Sequence, residues 1–480
     1  MTACAVPASP PLVPAADALA ALWRDAGLAA DALGRVRLPG AEPVLPSSFA
    51  VGTAAQVSIA AAALAAAELG TMRGGPRQEV SVDVLDAALE CCGVFTIDGR
   101  RPEVWDKLSG LYPCGGDARP GWVRVHANFA HHRDRALGVL GLAPGARTER
   151  ADVERALRDW SAEDFEDAAA RAGAVVAALR SFEQWERHPQ AGAVDAAPLV
   201  GVERIGDAPP RGLPPLATGA PPLAGVRVLD LTRILAGPVG GRTLAAYGAD
   251  VMLVNSPALP NIESIVDTSR GKLSAHVDLR TGAGRDDLRL LARDAHVFVQ
   301  GYRPGGLAAL GFSPEALAEL APGIVCVSLS AYGVTGPWGD RRGFDSLVQT
   351  ATGFNHAEGL ADGTGKPRAL PMQILDYATG FLIAFGAQLA LMRQAREGGS
   401  WHVRVSLART GRWLRTLGRV ADGFSAARPD FDARMQRFEC GWGELRALPH
   451  AAMFSATPAR WRRPSMPPGT HAPRWPAVGR

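Results

Sequence analysis

From Val226 onward, short apolar runs alternate with stretches of helical spacing. VRVLDL (226–231), VMLV (251–254), AHVDLR (275–280), HVFVQ (296–300) and GIVCVSLS (323–330) are brief and rich in β-branched residues, which predicts strands. AGPVGGRTLAAYGAD, GRDDLRLLARDA and SPEALAELAP lie between them and space their apolar residues for one helix face. Strands alternating with helices of this length predict βαβ units, and so an α/β fold with a doubly wound parallel sheet, Rossmann-like, over 225–410.

The flanks read differently. Segment 150–180 is predicted helical, and 205–224 (IGDAPPRGLPPLATGAPPLA) is a Pro/Gly-rich linker without apolar period. Residues 418–480, with many Pro, Arg and Trp, read as loop-like. The division expected is therefore 1–204, the linker 205–224, a catalytic domain 225–410 and a tail 411–480. One repeat appears: 54–86 aligns without gaps on 377–409, each an apolar helix, a basic residue with glycines, then an alternating strand. At that offset Thr53 stands where the second copy has Asp376.

Composition narrows the classes. Fifty-one basic against 48 acidic residues leave a net charge of +3, too little for a broad nucleic-acid or membrane field. The apolar stretches around 55–70 and 378–393 read as too short or interrupted for a membrane span. Six scattered cysteines make neither a disulfide framework nor a spaced zinc set, so no metal is expected and a cytoplasmic setting is.

The candidate chemistry begins with one acid. Asp376 opens the apolar stretch ILDYATGFLIAFGAQLALM. A carboxylate there suits the positive end of a helix, either as a cap or, facing a pocket, as a nucleophile. Asp345, in RRGFDSLVQ, is a second acid or another cap. Arg303 follows a strand C-terminus, where open α/β sheets bind ligands, and Arg270, Lys272 and Arg280 flank a strand nearby. Such cations suit a phosphorylated ligand or are simply solvated. Gly237, Gly240 and Gly241 allow close approach of either a ligand or a neighbouring element.

Five motifs in order, VRVLDLTRILAGPVGGRTLAAYGADVMLV, SRGKLSAHVDLR, HVFVQGYRPGGLAALGF, VSLSAYGVTGPWGDRRGFDSLVQTATG and LPMQILDYATGFLIAFGAQLALM, resemble the family III CoA-transferases and the related α-methylacyl-CoA racemases. The resemblance implies that Asp376 is the nucleophile and that Asp345 helps position it. It also implies coenzyme A contacts at Arg233, Ala236, Lys272 and Arg280, and at Gly301, Tyr302, Arg303 and Arg342. Gly301 and Leu235 differ from the polar residues usual at those positions. Phe344 stands where the racemases have a histidine, and a phenyl ring moves no proton.

What the resemblance implies is transfer of coenzyme A from an acyl-CoA to a carboxylic acid through an aspartyl-CoA thioester. Racemase or isomerase action on a 2-methylacyl-CoA, or a catalytically degenerate CoA-binding protein, are the alternatives. The expected partners are a small acyl-CoA and a carboxylate, with no nucleic acid or membrane, and interlocked homodimers are the family's arrangement. SVDVLDAALE, LYPCGGDARPGWVRVHAN and SFEQWERHPQ in the N-terminal part resemble the second half of the same family. That half implies a smaller α+β domain placed out of the usual order, covering a single active centre on 225–410.

Overall fold

The computed structural model describes residues 11–427 and 429–476. Its largest sheet has seven strands: β1 (Gly201–Gly206), β2 (Arg227–Leu231), β3 (Asp250–Asn255), β4 (Lys272–His276), β5 (Val297–Gln300), β6 (Val325–Ser330) and β7 (Ser400–Ser406). They lie in the order β4-β3-β2-β5-β6-β7-β1. Neighbours run parallel except β1, which closes the edge antiparallel to β7. The central strands read as continuous apolar runs because both faces are covered. Strand order reverses between β2 and β5. A crevice opens at such a point, beyond the carboxyl ends of the strands.

Four helices build the crevice and the core behind it: α1 (Val51–Met72), α2 (Ala236–Ala246), α3 (Asp345–Ala351) and α4 (Ile374–Glu397). α1 and α4 are apolar on all sides and belong to one core, with Gln388 of α4 donating to the Ala62 carbonyl of α1 at 3.0 Å. Both are long and apolar enough to cross a membrane, contrary to the expectation that these stretches are too short. Their windows are 94% and 100% buried inside the protein, so their apolarity serves the core here. Where α2 meets α4 there is no room for side chains. A Cβ on Gly240 would come within 2.6 Å of Ile383, and one on Gly380 within 2.6 Å of the Ala236 carbonyl oxygen. Added atoms at Gly237 and Gly241 would strike Thr232 and Asp230. These glycines serve helix packing, the second of the two roles open to them.

The repeated segments adopt the same sequence of elements. Helix α1, strand Val80–Val82 and helix Val84–Cys92 match helix α4, strand β7 and helix Leu407–Thr416 in order. A smaller α+β unit interrupts the N-terminal part. Its strands Gly110–Cys114, Gly121–Val125 and Val176–Ala178 are covered by helices Ala130–Val139, Arg150–Leu157 and Ala162–Arg171.

Several boundaries need correction. Segment 150–180 is two helices followed by a buried strand, because Val176–Ala178 pairs with Gly121–Val125. The strand expected at 275–280 lies at Lys272–His276, since a charged start is tolerated where Lys272 is paired inside. The 204 boundary falls inside β1, and 410 falls inside helix Leu407–Thr416. The tail is not loop-like throughout. Gln436–Cys440 and Gly443–Ala447 form a hairpin that pairs with Phe95–Ile97, and Ala452–Phe454 pairs with Val80–Val82.

Buried charges join these pieces. Arg242 on α2 pairs with Glu90 at 3.0 Å and with Asp267, while His450 from the tail meets Glu90 and the Tyr247 hydroxyl, each at 2.9 Å. Burial pushes the Glu90 carboxyl up, but His450 and Arg242 outweigh it and hold it at about 2.

Candidate active site

A cavity of about 310 Å³ opens at the strand-order reversal. The turns after β2 and β5 supply Arg233, Ile234, Leu235, Ala236, Gly301, Tyr302 and Arg303, and the segment before α3 supplies Arg341, Arg342 and Phe344. Asp376 lines it from α4. Ile234 holds a φ of 77°, which a β-branched side chain resists at a cost on the order of 1–3 kcal/mol. The strain sits where the chain turns from β2 toward α2 at the cavity wall.

Asp376 is the third residue of α4, whose N-cap is Gln373, so it stands inside the first turn and is not the cap itself. Its own N–H donates to Asp345 Oδ2 at 2.9 Å. Gln349 donates to Asp345 Oδ1 at 2.5 Å and accepts from Asn355 and from the Leu370 N–H. Asp345 is fully buried behind the cavity; Asp376 is 8% exposed and reaches it. A helix start alone would favour an ionised carboxylate. Burial and the like charge of Asp345 prevail instead and hold the Asp376 carboxyl well above the usual range. Burial likewise raises Asp345 to about 7, against the Asp376 and Leu375 amides, Gln349 and buried Arg124. Each carboxyl therefore holds its proton to a higher pH than a free acid does.

The mouth is cationic. Arg342 is lowered first by burial and then by the like charges of Arg303 and Arg135. Phe129, His131 and His132, from the smaller α+β unit, complete the wall. His126 stacks on Phe344 with ring centroids 4.0 Å apart.

The predicted residues thus divide. Asp376, Arg233, Ala236, Gly301, Tyr302, Arg303 and Arg342 share the cavity, and Asp345 supports it from behind. Lys272 does not belong there: it is wholly buried, with its ammonium 2.8 Å from Asp230 Oδ2 and from the Pro238 carbonyl oxygen. Arg270 is also internal, held by Asp267 and the Leu448 carbonyl. Arg280 is exposed and chelated by Asp278 outside the cavity. The cation cluster predicted around β4 is therefore dispersed, because two of its three members neutralise buried acids. Sequence reasoning missed the histidines. Their one signal was three His between 126 and 132, in RVHANFAHHRDR.

Residues 223–417 match the model of CoA-transferase family III. That segment is similar to family III CoA-transferases. Similar proteins include an acyl-CoA transferase of Gibberella moniliformis, 32% identical over 302 residues, covering 60% of this chain and 53% of that one. A succinate–glutarate CoA-transferase of Agrobacterium fabrum is 35% identical over 206 residues, covering 39% and 51%. A crystal structure of Rv3272 from Mycobacterium tuberculosis superposes with a TM-score of 0.39 at 33% identity, over 41% of this chain and 56% of that one. The chain spans about half the length of the relatives it matches. Asp376 and Asp345 both fall within the matched segment 223–417, whereas Phe129, His131 and His132 lie outside it.

Proposed function

We propose that the chain transfers coenzyme A from an acyl-CoA to a carboxylic acid, with Asp376 carrying first the acyl group and then CoA. The observation that carries this reading is a buried carboxyl at a helix start, open to a cavity at the strand-order reversal and backed by a second acid. The Asp376 carboxylate attacks the thioester carbonyl, the C–S bond breaks, and a mixed anhydride forms as CoA thiolate leaves. The thiolate attacks the aspartyl carbonyl, releasing the first acid and leaving an aspartyl-CoA thioester. The acceptor's carboxylate attacks that thioester and frees the thiolate, which then takes the acceptor's carbonyl and restores Asp376. No net proton is consumed.

Each function of the site derives from its surroundings. The cationic mouth attracts the phosphates of CoA, with Arg303 at its rim. Exclusion of bulk water sharpens a carboxylate that is otherwise a weak nucleophile. Asp345 fixes the first turn of α4 through the Asp376 amide and buffers the proton that must leave before attack. Borohydride or hydroxylamine trapping after mixing with acyl-CoA, read by peptide mass, tests the reading. A modified Asp376 peptide is expected, and an unmodified one under every acyl-CoA supplied overturns it.

One observation bears on α-proton chemistry. Phe344 removes the histidine at its own position, yet His132 stands in the same cavity. The matched relatives are named as transferases, which favours transfer. Exchange of the α-proton into deuterated water without an acceptor acid would reverse the choice.

A further inference from the structure

Helix Ala130–Val139 belongs to the smaller α+β unit, yet its first turn forms part of the wall around Asp376. His132 is 7% exposed, and its Nδ1 has no hydrogen-bond partner among the described residues. Buried polar groups are nearly always paired, so an orphan ring nitrogen at the wall of a cavity points to a group supplied from outside. The charges that reach this ring are those of His131, Arg342, Arg135 and Arg233, all of one sign. Burial together with these cations holds the imidazole neutral, down to about 3. A neutral imidazole still donates one N–H. The missing complement is therefore an anion that can accept a hydrogen bond.

Size separates two kinds of anion. A cavity of about 310 Å³ next to Asp376 holds a small acid and the reacting end of a thioester, and the nucleotide of CoA must lie outside it. A phosphate would meet the exposed Arg303 first. We infer that His132 and Arg342 form the seat of the acceptor acid: the imidazole N–H donates to one carboxylate oxygen and the guanidinium holds the other. The reading deepens the transfer function proposed above and rests on it. It also divides the reaction between the two parts of the chain, with the nucleophile on the matched segment 223–417 and half of the acceptor seat on the smaller unit.

The test is a titration of the whole protein carrying ¹⁵N-labelled histidine, with the His132 ring signals assigned by their loss in His132→Gln. Glutarate and inorganic phosphate are added separately at matched ionic strength. Glutarate should move the His132 signals, phosphate should not, and Arg342→Gln should weaken the glutarate response at least five-fold. Signals that ignore glutarate, or that answer phosphate alone, overturn the proposal, as does an unaltered response in Arg342→Gln. The titration needs no turnover. Failure of the wild-type protein to label Asp376 would count against the transfer reading and not against this seat. In a turnover assay with acetyl-CoA, whose acyl group has no free carboxylate, and glutarate, His132→Phe should raise the acceptor KM about ten-fold and leave the acyl-CoA KM within two-fold. Equal changes in both would refute an acceptor-specific role.

Discussion

Replacing Asp345 by Asn separates the cost of its charge from the value of its hydrogen bonds. The wild-type carboxylate receives two donors, the Asp376 N–H on Oδ2 and Gln349 Nε2 on Oδ1. An Asn side chain offers one oxygen and one NH₂, so one donor faces another, at about 1–3 kcal/mol. Against the protonated acid, which keeps only a hydroxyl lone pair for the second donor, the penalty falls toward the low end of that range. The charge term depends on pH. Burial raises Asp345 from 3.8 to about 7 in the folded protein, so the folded state holds this proton more tightly than the unfolded one. Wild-type stability attached to this group is complete below about pH 4 and drains away as pH rises to about 7. With about 1.4 kcal/mol for each pH unit, the loss amounts to about 4 kcal/mol.

The variant has no such loss at position 345. It should be less stable than wild type at pH 4, by about 1 kcal/mol, and more stable at pH 8 by about 3 kcal/mol. The two stability curves should cross. Urea unfolding followed by Trp fluorescence at pH 4, 5, 6, 7 and 8 measures the difference. A gap between the proteins that stays constant across this range would refute the argument that burial of this carboxyl dominates.

The same geometry sets other outcomes. The acid limb of transfer activity should lie well above the usual carboxylate range, because Asp376 must lose its proton, and Asp345→Asn should move that limb to lower pH by removing the like charge; pH–rate profiles measure it. Asp376→Ala should abolish the acyl adduct seen by peptide mass while leaving CoA binding, measured by calorimetry, within a few-fold. Glu90→Ala leaves Arg242 short of a partner in a wholly buried site and should cost about 3–5 kcal/mol in urea unfolding. Gly380→Ala drives a methyl to within 2.6 Å of the Ala236 carbonyl and should cost about 1–3 kcal/mol while weakening turnover, since Ala236 lines the cavity.

The central sheet was legible because strands buried on both faces must be apolar without interruption, as VRVLDL and HVFVQ are. β4 was misplaced by three residues because its first residue is Lys272, and charge in a sequence reads as surface. Only the fold reveals that Asp230 neutralises it. The same blindness scattered the predicted phosphate cluster. Asp376 stood out through its resemblance, while its raised pKa depends on Asp345, which is distant along the chain and adjacent in space. The histidines escaped notice because nothing local to RVHANFAHHRDR says that its helix roofs a cavity built by another part. The tail strands escaped too: Ala452–Phe454 is half of a pairing whose other half, Val80–Val82, lies near the opposite end.

Phe129 and His132 line the cavity that Asp376 reaches. Water held against a thioester on an aspartate competes with the acceptor acid, and hydrolysis then loses the energy of the donor as heat. On the proposed mechanism, aromatic side chains at the wall would help keep such a thioester for the acceptor acid. Loosening this wall, through Phe129→Ala for example, should turn exchange into slow acyl-CoA hydrolysis, with free thiol accumulating in place of a new thioester.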